Sequence, residues 1–185
     1  MEDAVPPRTL TLPDGARLLI RQVVPEDAPK LIAGFDELSA QSRIMRFLRA
    51  IDRLPDDDVR RYVTPDHHDH EALAAEILPD APGAPPRPVG IAHWFRYATA
   101  PDRAELAVTI VDSAQRRGIG RLLLARLFEI AAARGIRRIE ALVHPENRQM
   151  AGLLRCFGAV ARRDEGLMLY DIVLNAAGGV RERAA

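Results

Sequence analysis

Hydrophobic positions along the chain recur with two spacings, every second residue in some segments and every third or fourth in others. The alternating segments predict strands at Leu18–Val24, Glu71–Leu78, Pro88–Arg96, Arg103–Val111, Arg138–Val143, Ala159–Arg163 and Leu167–Leu174. The short segment Leu10–Leu12 is predicted to form a hairpin or one bent strand with Leu18–Val24. The helical spacing predicts helices that begin near Pro25, Ser39 and Asp56, and two more over Ile119–Ala133 and Asn147–Phe157. This order predicts a three-layer α+β fold with a mixed, mostly antiparallel sheet of six to seven strands.

The length of 185 residues predicts one domain, residues 1–185, with a core over about residues 10–174 and disordered termini. No apolar run reaches the ~20 residues that span a bilayer. The first seven residues lack the basic region of a secretory signal. We therefore expect a cytoplasmic protein that does not bind a membrane.

The charge of the chain is balanced overall and uneven along its length. The 26 basic and 26 acidic side chains cancel, and aromatic residues make up only 5%. Both facts argue against a nucleic-acid partner. Residues 1–100 carry 12 basic and 16 acidic side chains, whereas residues 101–185 carry 14 and 10. An anionic ligand is therefore expected in the second half.

Two rare residue types exclude further classes of protein. Lys30 is the only lysine, so a P-loop, which needs its own lysine after the glycines, is excluded. Cys156 is the only cysteine, which excludes disulfides and cysteine-based zinc or iron–sulfur sites.

A basic, glycine-containing segment lies between a predicted strand and a long predicted helix. We call residues 115–121 the anion loop; they are Gln115, Arg116, Arg117, Gly118, Ile119, Gly120 and Arg121. The glycines permit a tight turn, and the unpaired N–H groups at a helix start attract negative charge. A pyrophosphate is the expected occupant, and a plain turn with solvated arginines is the alternative. A dinucleotide fingerprint is disfavoured because Leu123 stands where its third glycine belongs.

The anion loop resembles the Q/R-x-x-G-x-G/A motif of the GCN5-related N-acetyltransferase (GNAT) family. Asn147, the following helix and Gly158-Ala159 are similar to the closing motif of that family. The order of elements fits from about Leu10 to Leu174. Residues 38–47 and 104–108 further resemble the acetyltransferase domain of bacterial protein-lysine acetyltransferases.

The resemblance implies a GNAT fold, with helices on both faces of the sheet and a splayed central strand pair, and transfer of acetyl from acetyl-CoA to an amine. The backbone at Ile110 and Val111 would pair with the pantetheine arm, the anion loop would hold the pyrophosphate, and Asn147 would contact the arm from the other side. The acceptor is a primary amine on a lysine-bearing protein or a small molecule, attacking directly in a ternary complex. A CoA-binding sensor without catalysis is the alternative, and the protein is expected to be a monomer or a homodimer.

Glu105 is the candidate catalytic base. Alternation along its strand puts it on one face with Ala107, Thr109 and Val111. A carboxylate among small and apolar neighbours suits a base that works near neutral pH. The alternative is a carboxylate at the strand edge paired with a nearby arginine.

No general acid can be assigned. Many GNAT enzymes have a tyrosine seven residues after the asparagine, and Leu154 stands there in this chain. His144 and Cys156 lie nearby in sequence, but neither matches the motif. Solvent is sufficient to protonate a thiolate leaving group.

The run Asp66–His70 contains three histidines and two aspartates. Imidazole and carboxylate groups together suit zinc or nickel, and His68 and His70 would share a face if the run were extended. A solvated or substrate-facing loop is favoured because no further ligand is evident. We therefore predict no metal site.

Overall fold

The computed structural model describes residues 5–81 and 83–175. Of the termini that were predicted to be disordered, residues 1–4 and 176–185 lie outside the described residues, whereas residues 8–9 belong to a strand. The strands are β1 Arg8–Thr11, β2 Arg17–Gln22, β3 His70–Ile77, β4 Arg87–Tyr97, β5 Ala100–Ile110, β6 Arg138–Val143, β7 Val160–Asp164 and β8 Leu167–Val173. The α-helices are α1 Ala28–Asp36, α2 Ala40–Phe47, α3 Asp56–Val63, α4 Ile119–Ala133 and α5 Arg148–Arg155.

The strands of the described chain form one sheet in the order β1-β2-β3-β4-β5-β6-β8-β7. Neighbouring strands pair antiparallel except β5 and β6, which are parallel and joined by α4. The predicted α+β class and mixed sheet are confirmed. The sheet has eight strands rather than six to seven because the N-terminal segment folds as two paired strands instead of one bent strand.

Helices cover both faces of the sheet, which gives the three predicted layers. Helix α4 packs on β3, β4 and β5, and its fully buried Leu123, Leu127 and Phe128 form the main core with Trp94 of β4. A smaller core that includes Phe35 and Val59 lies among α1 to α3. The sheet therefore separates a large core under α4 from a smaller one under α1 to α3.

The parallel pair β5–β6 is short. Only three residues of β5 have partners on β6, and the last pair is Glu105 with Glu140. Beyond this point β5 continues along β4 to Ile110, while β6 continues along β8 to Val143. The two central strands therefore diverge and leave the β5 edge from Leu106 to Ile110 open, as the predicted splayed pair requires.

No helix in the described ranges is long and apolar enough to cross a membrane.

Candidate active site

A cleft of about 940 Å³ begins where β5 and β6 diverge. Its walls are the open edge of β5, the end of β6, the anion loop, the start of α5 and part of α2 and α3. A cleft of this size accommodates a large ligand. The site therefore lies where a break in the sheet meets the start of α4.

The anion loop is shaped by two residues with positive φ. Gly118 precedes α4 with φ 82°, a conformation that residues with a Cβ rarely adopt, and Arg116 has φ 59°. The turn brings Gly118, Ile119, Gly120 and Arg121 to the cleft wall at the N-terminus of α4. The unpaired N–H groups and the helix dipole attract an anion at this end.

Gln115 lines the cleft, and its side chain supports the loop. Its Nε2 donates to the carbonyl oxygen of Ile110 at 3.1 Å and to Oδ1 of Asp112 at 3.0 Å. Asp112 also accepts from Ser42 Oγ at 2.6 Å and from Ser39 N at 3.1 Å. Burial raises the pKa of Asp112, but these hydrogen bonds from the start of α2 outweigh it and lower the pKa overall. The network thus fixes the anion loop to α2.

Two residues predicted to bind the cofactor point elsewhere. Arg117 forms an ion pair with Asp14 in the β1–β2 turn, with NH2–Oδ2 at 2.7 Å, and does not line the cleft. Val111 donates its N–H to the carbonyl oxygen of Val89 at 3.0 Å, and its side chain is buried. Ile110 does line the cleft. The backbone available to a ligand therefore ends at Ile110, and Arg117 holds the loop against the β1–β2 turn.

Three exposed arginines border the cleft near the anion loop. They are Arg116, Arg121 and Arg148, and none forms an ion pair with another described residue. Arg148 was not predicted, because its place beside the loop depends on how α5 packs against α4. Its only signal in the sequence is that it directly follows Asn147. These three cations are available to phosphate groups.

Substitution by glutamate distinguishes the role of these arginines from the role of Arg117. We expect Arg121→Glu and Arg148→Glu each to weaken CoA binding about tenfold in dilute buffer, and less in high salt because the charges are exposed. Arg117→Glu removes the pair with Asp14, so it should weaken binding less than either. Isothermal titration calorimetry at two salt concentrations measures the difference. A larger loss for Arg117→Glu would contradict this assignment.

Asn147 caps α5 and lines the opposite wall. Its Oδ1 accepts from Met150 N at 3.0 Å, which leaves the amide nitrogen to donate to a ligand. A Cβ on Gly120 would lie 3.2 Å from Leu153 Cδ2, so the start of α4 and α5 approach closely. Gly120 therefore sets the separation of the two walls.

Glu105 lies at the end of the cleft where β5 and β6 still pair. It shares a face with Ala107 and Thr109, as the register with Phe95, His93 and Ile91 of β4 shows. Glu105 is exposed, so the apolar burial expected from its neighbours is not observed. The reason is that the strands separate beside it and admit solvent. Its carboxylate is thus accessible from the cleft.

The sequence did not identify Arg46 and Tyr62, which line the cleft on the same side as Glu105. Arg46 donates to Thr109 Oγ1 and to His93 Nε2, each at 3.0 Å. Because arginine only donates, His93 Nε2 must be the acceptor, so the ring is neutral. Burial and the Arg46 charge lower the pKa of His93 well below its ordinary value. Helices α2 and α3 and strand β5 come together only in the folded chain. The spacing of residues along the sequence therefore gave no indication of these contacts.

None of the three residues considered for the general acid lines the cleft. Leu154 is fully buried in the main core. Cys156 is exposed at the end of α5, and His144 accepts from Glu146 N at 3.2 Å. None of these three positions therefore supplies an acid to the cleft.

The run Asp66–His70 forms a turn instead of an extended segment. Asp66 Oδ1 accepts from the backbone N–H groups of His68, Asp69 and His70 at 2.8 to 2.9 Å. His68 is exposed, whereas His70 is buried and stacks on Phe95 at 4.0 Å between ring centroids. The two histidines therefore do not share a face. Within the described ranges, no three His, Cys, Asp or Glu residues are placed to hold a metal ion.

His70 predicts a pH dependence of folding. Burial lowers its pKa to about 4 in the folded protein, against about 6.5 in the unfolded chain. Between these values the unfolded chain binds more protons, so stability falls as the pH falls from 6.5 towards 4. Urea unfolding should lose roughly 2 kcal/mol between pH 7 and pH 5 from this group. His70→Phe should reduce the slope by this amount, while the contribution of the buried His93 remains, and His68→Phe should leave the slope unchanged; equal slopes in both variants would refute the assignment.

The model of the acetyltransferase (GNAT) domain family matches residues 17–160. The chain belongs to the GNAT acetyltransferase family. This match spans the divergent strands, the anion loop and α5, and so confirms the family suggested by the sequence.

Relatives and solved structures agree with this membership. The chain is 30% identical to an acetyltransferase of Pseudomonas aeruginosa over 156 residues, which cover 83% of the chain and 81% of the relative. The solved GNAT domain of S. lividans PAT is 28% identical with a TM-score of 0.81, covering 91% of this chain and 97% of that one. A putative acetyltransferase from Salmonella typhimurium, solved with its cofactor acetyl-CoA, is 18% identical with a TM-score of 0.66, covering 85% of this chain and 94% of that one. The last similarity shows the fold alone.

Proposed function

We propose that the protein transfers an acetyl group from acetyl-CoA to a primary amine by direct attack in a ternary complex. The observation that carries the proposal is the divergence of β5 and β6, with Glu105 at its closed end and the anion loop at its open end. One end of this cleft suits phosphates and the other offers a base. Membership of an acetyltransferase family supports acetyl-CoA as the donor.

The chain holds the donor through backbone and cations. The N–H groups at the start of α4 bind the pyrophosphate, while Arg116, Arg121 and Arg148 bind phosphate oxygens. The open β5 edge up to Ile110 pairs with the pantetheine arm, and the Asn147 amide nitrogen donates from the other wall. Bound acetyl-CoA supplies an activated acetyl thioester.

Glu105 accepts the proton that the amine must lose, directly or through one water molecule. The amine nitrogen forms a bond to the carbonyl carbon, and the carbon–sulfur bond breaks with its electron pair going to sulfur. Water protonates the thiolate, because no side chain has been assigned as the acid. The products are an amide and CoA.

The acceptor is proposed to be a lysine-bearing protein or a small-molecule amine. Similarity to the S. lividans PAT domain is compatible with the first. A cytoplasmic location fits a chain with one cysteine. One domain and a monomer or homodimer remain our expectations.

Release of free CoA with a panel of amines tests the proposal. The panel contains a lysine-bearing protein, a polyamine, a free amino acid and an aminoglycoside. Amine-dependent CoA release supports the enzyme. Thermal stabilisation by CoA without turnover of any amine would instead support the non-catalytic sensor.

A further inference from the structure

Tyr62 of α3 brings a phenol hydroxyl group to the cleft, on the same side as Glu105. Its ring packs on the ring of His93 in β4, with 4.6 Å between the two centroids. His93 pairs with Ala107 of β5, and paired residues of antiparallel strands share a face of the sheet. Tyr62 therefore lies over the open edge of β5 at the level of Ala107.

This level is where the reacting carbonyl group is expected. Ala107 is two residues from Glu105, or ~7 Å along an extended strand. An amine that gives its proton directly to Glu105 lies ~3 Å from the carboxylate. The carbon that it attacks lies ~3 to 3.5 Å from the amine nitrogen. The two distances together reach the level of Ala107, and so the level of Tyr62.

Arg46 of α2 holds the oxygen of Tyr62 and leaves its hydrogen available. The guanidinium group donates to Thr109 Oγ1 and to His93 Nε2, each at 3.0 Å, and also to the Tyr62 hydroxyl oxygen. Since arginine only donates, Tyr62 is the acceptor in this contact, and its own O–H must donate elsewhere. No residue that the structure describes accepts from it. A hydroxyl group that accepts from a cation is also a better donor, because successive hydrogen bonds polarise one another.

The charge of Arg46 is only partly balanced by its surroundings. Burial lowers the pKa of Arg46, and interactions with Tyr62, Glu105 and Asp58 oppose part of that shift. Neither carboxylate forms a direct ion pair with Arg46, although all three side chains border the cleft. A cation without a direct counter-ion stabilises negative charge that develops nearby. The surroundings of the Tyr62 hydroxyl group therefore favour an oxyanion.

We propose that Tyr62 is a further catalytic residue, whose hydroxyl group donates a hydrogen bond to the carbonyl oxygen of the acyl group. The inference rests on the proposed acetyl transfer and adds a donor to it. As the amine nitrogen bonds to the carbonyl carbon, one electron pair of the carbon–oxygen double bond moves to oxygen, and the hydrogen bond from Tyr62 strengthens with that charge. When the pair returns, the carbon–sulfur bond breaks with its electrons going to sulfur. Tyr62 keeps its proton throughout.

Tyr62→Phe tests the role of the hydroxyl group, because it keeps the ring that packs on His93. We expect kcat/KM for acetyl-CoA to fall about 30-fold, the contribution of one hydrogen bond to a charged oxygen. About threefold of this loss should appear in KM and about tenfold in kcat, because the bond is strongest in the transition state. The KM for the amine and the shape of the pH profile should not change, since Glu105 remains the base.

Tyr97→Phe is the matched control. Tyr97 also carries a half-buried hydroxyl group, but it donates to Glu140 at 3.3 Å and does not line the cleft. This variant should retain kcat and both KM values within about twofold, as expected for a change away from the reacting atoms.

Binding of a ketone analogue tests the same contact without turnover. In this analogue of acetyl-CoA a methylene group replaces the sulfur, so the carbonyl group remains but cannot be transferred. Tyr62→Phe should bind the ketone about threefold more weakly than wild type, the loss of a neutral hydrogen bond, and should bind CoA, which lacks the carbonyl group, equally well. Tyr97→Phe should bind both like wild type. Isothermal titration calorimetry measures the four affinities.

Unchanged affinity of Tyr62→Phe for the ketone, or equal losses for the ketone and CoA, would overturn the proposal. A changed pH profile or a raised KM for the amine would also overturn it, because Tyr62 would then act on a proton or on the amine. If wild type acetylates an amine and Tyr62→Phe matches it, only the role of Tyr62 is wrong. If wild type acetylates no amine, the proposed function is wrong, and the ketone affinities still decide whether Tyr62 contacts the carbonyl oxygen.

Discussion

Glu105→Gln is expected to lower kcat/KM for amine acetylation by roughly 10²- to 10⁴-fold, the range that general base catalysis contributes. The amide keeps the size of the side chain but cannot accept the proton from the attacking amine. Since Glu105 is exposed in the cleft, the substitution should leave the fold and the affinity for CoA unchanged. The loss should become smaller as the pH rises, because more of the amine is already neutral.

Glu140→Gln is the matched control for this experiment. Glu140 pairs with Glu105 across the parallel strands, but its carboxylate interacts with Tyr97 and Arg103 and does not line the cleft. It should retain kcat/KM within about threefold, as expected for a polar change away from the reacting atoms. Full activity of Glu105→Gln across the pH range would show that the base lies elsewhere.

Gly118→Val is expected to weaken CoA binding about 100-fold, or abolish it in a calorimetric titration. At φ 82° a branched side chain strains the backbone, and it also covers the N–H groups at the start of α4 that bind the pyrophosphate. The loss should appear equally for CoA and acetyl-CoA, since both carry the same phosphates.

Gly135→Val separates backbone strain from loss of binding. Gly135 follows α4 at the same φ of 82°, and a Cβ at either glycine would meet nothing within 4 Å. Both variants should lose similar stability in urea unfolding, but Gly135→Val should bind CoA like wild type. Normal CoA affinity in Gly118→Val would show that the pyrophosphate does not occupy the anion loop.

The parts of the site that lie close together in sequence could be predicted from it. The anion loop is one continuous segment, and its glycines followed by a helix indicate an anion-binding site from the sequence alone. Asn147 was identified through its resemblance to the closing motif of the family, and the structure shows that it caps α5. Alternation along β5 identified the face that carries Glu105.

The remaining features depend on contacts between distant segments. Arg117 pairs with Asp14, 103 residues away, and this contact turns it out of the cleft. Arg46 reaches β5 from α2, a contact between residues 63 apart in sequence. The exposure of Glu105 follows from where the ladder between β5 and β6 ends, and no local pattern encodes that point.

Mass spectrometry of a lysine-bearing peptide incubated with acetyl-CoA and the protein tests direct transfer to an amine most directly. The account predicts acetyl on the peptide amine only when all three are present, with no acetyl on Cys156. Binding of acetyl-CoA without any acetylated amine, or acetyl first carried by the protein itself, would contradict it.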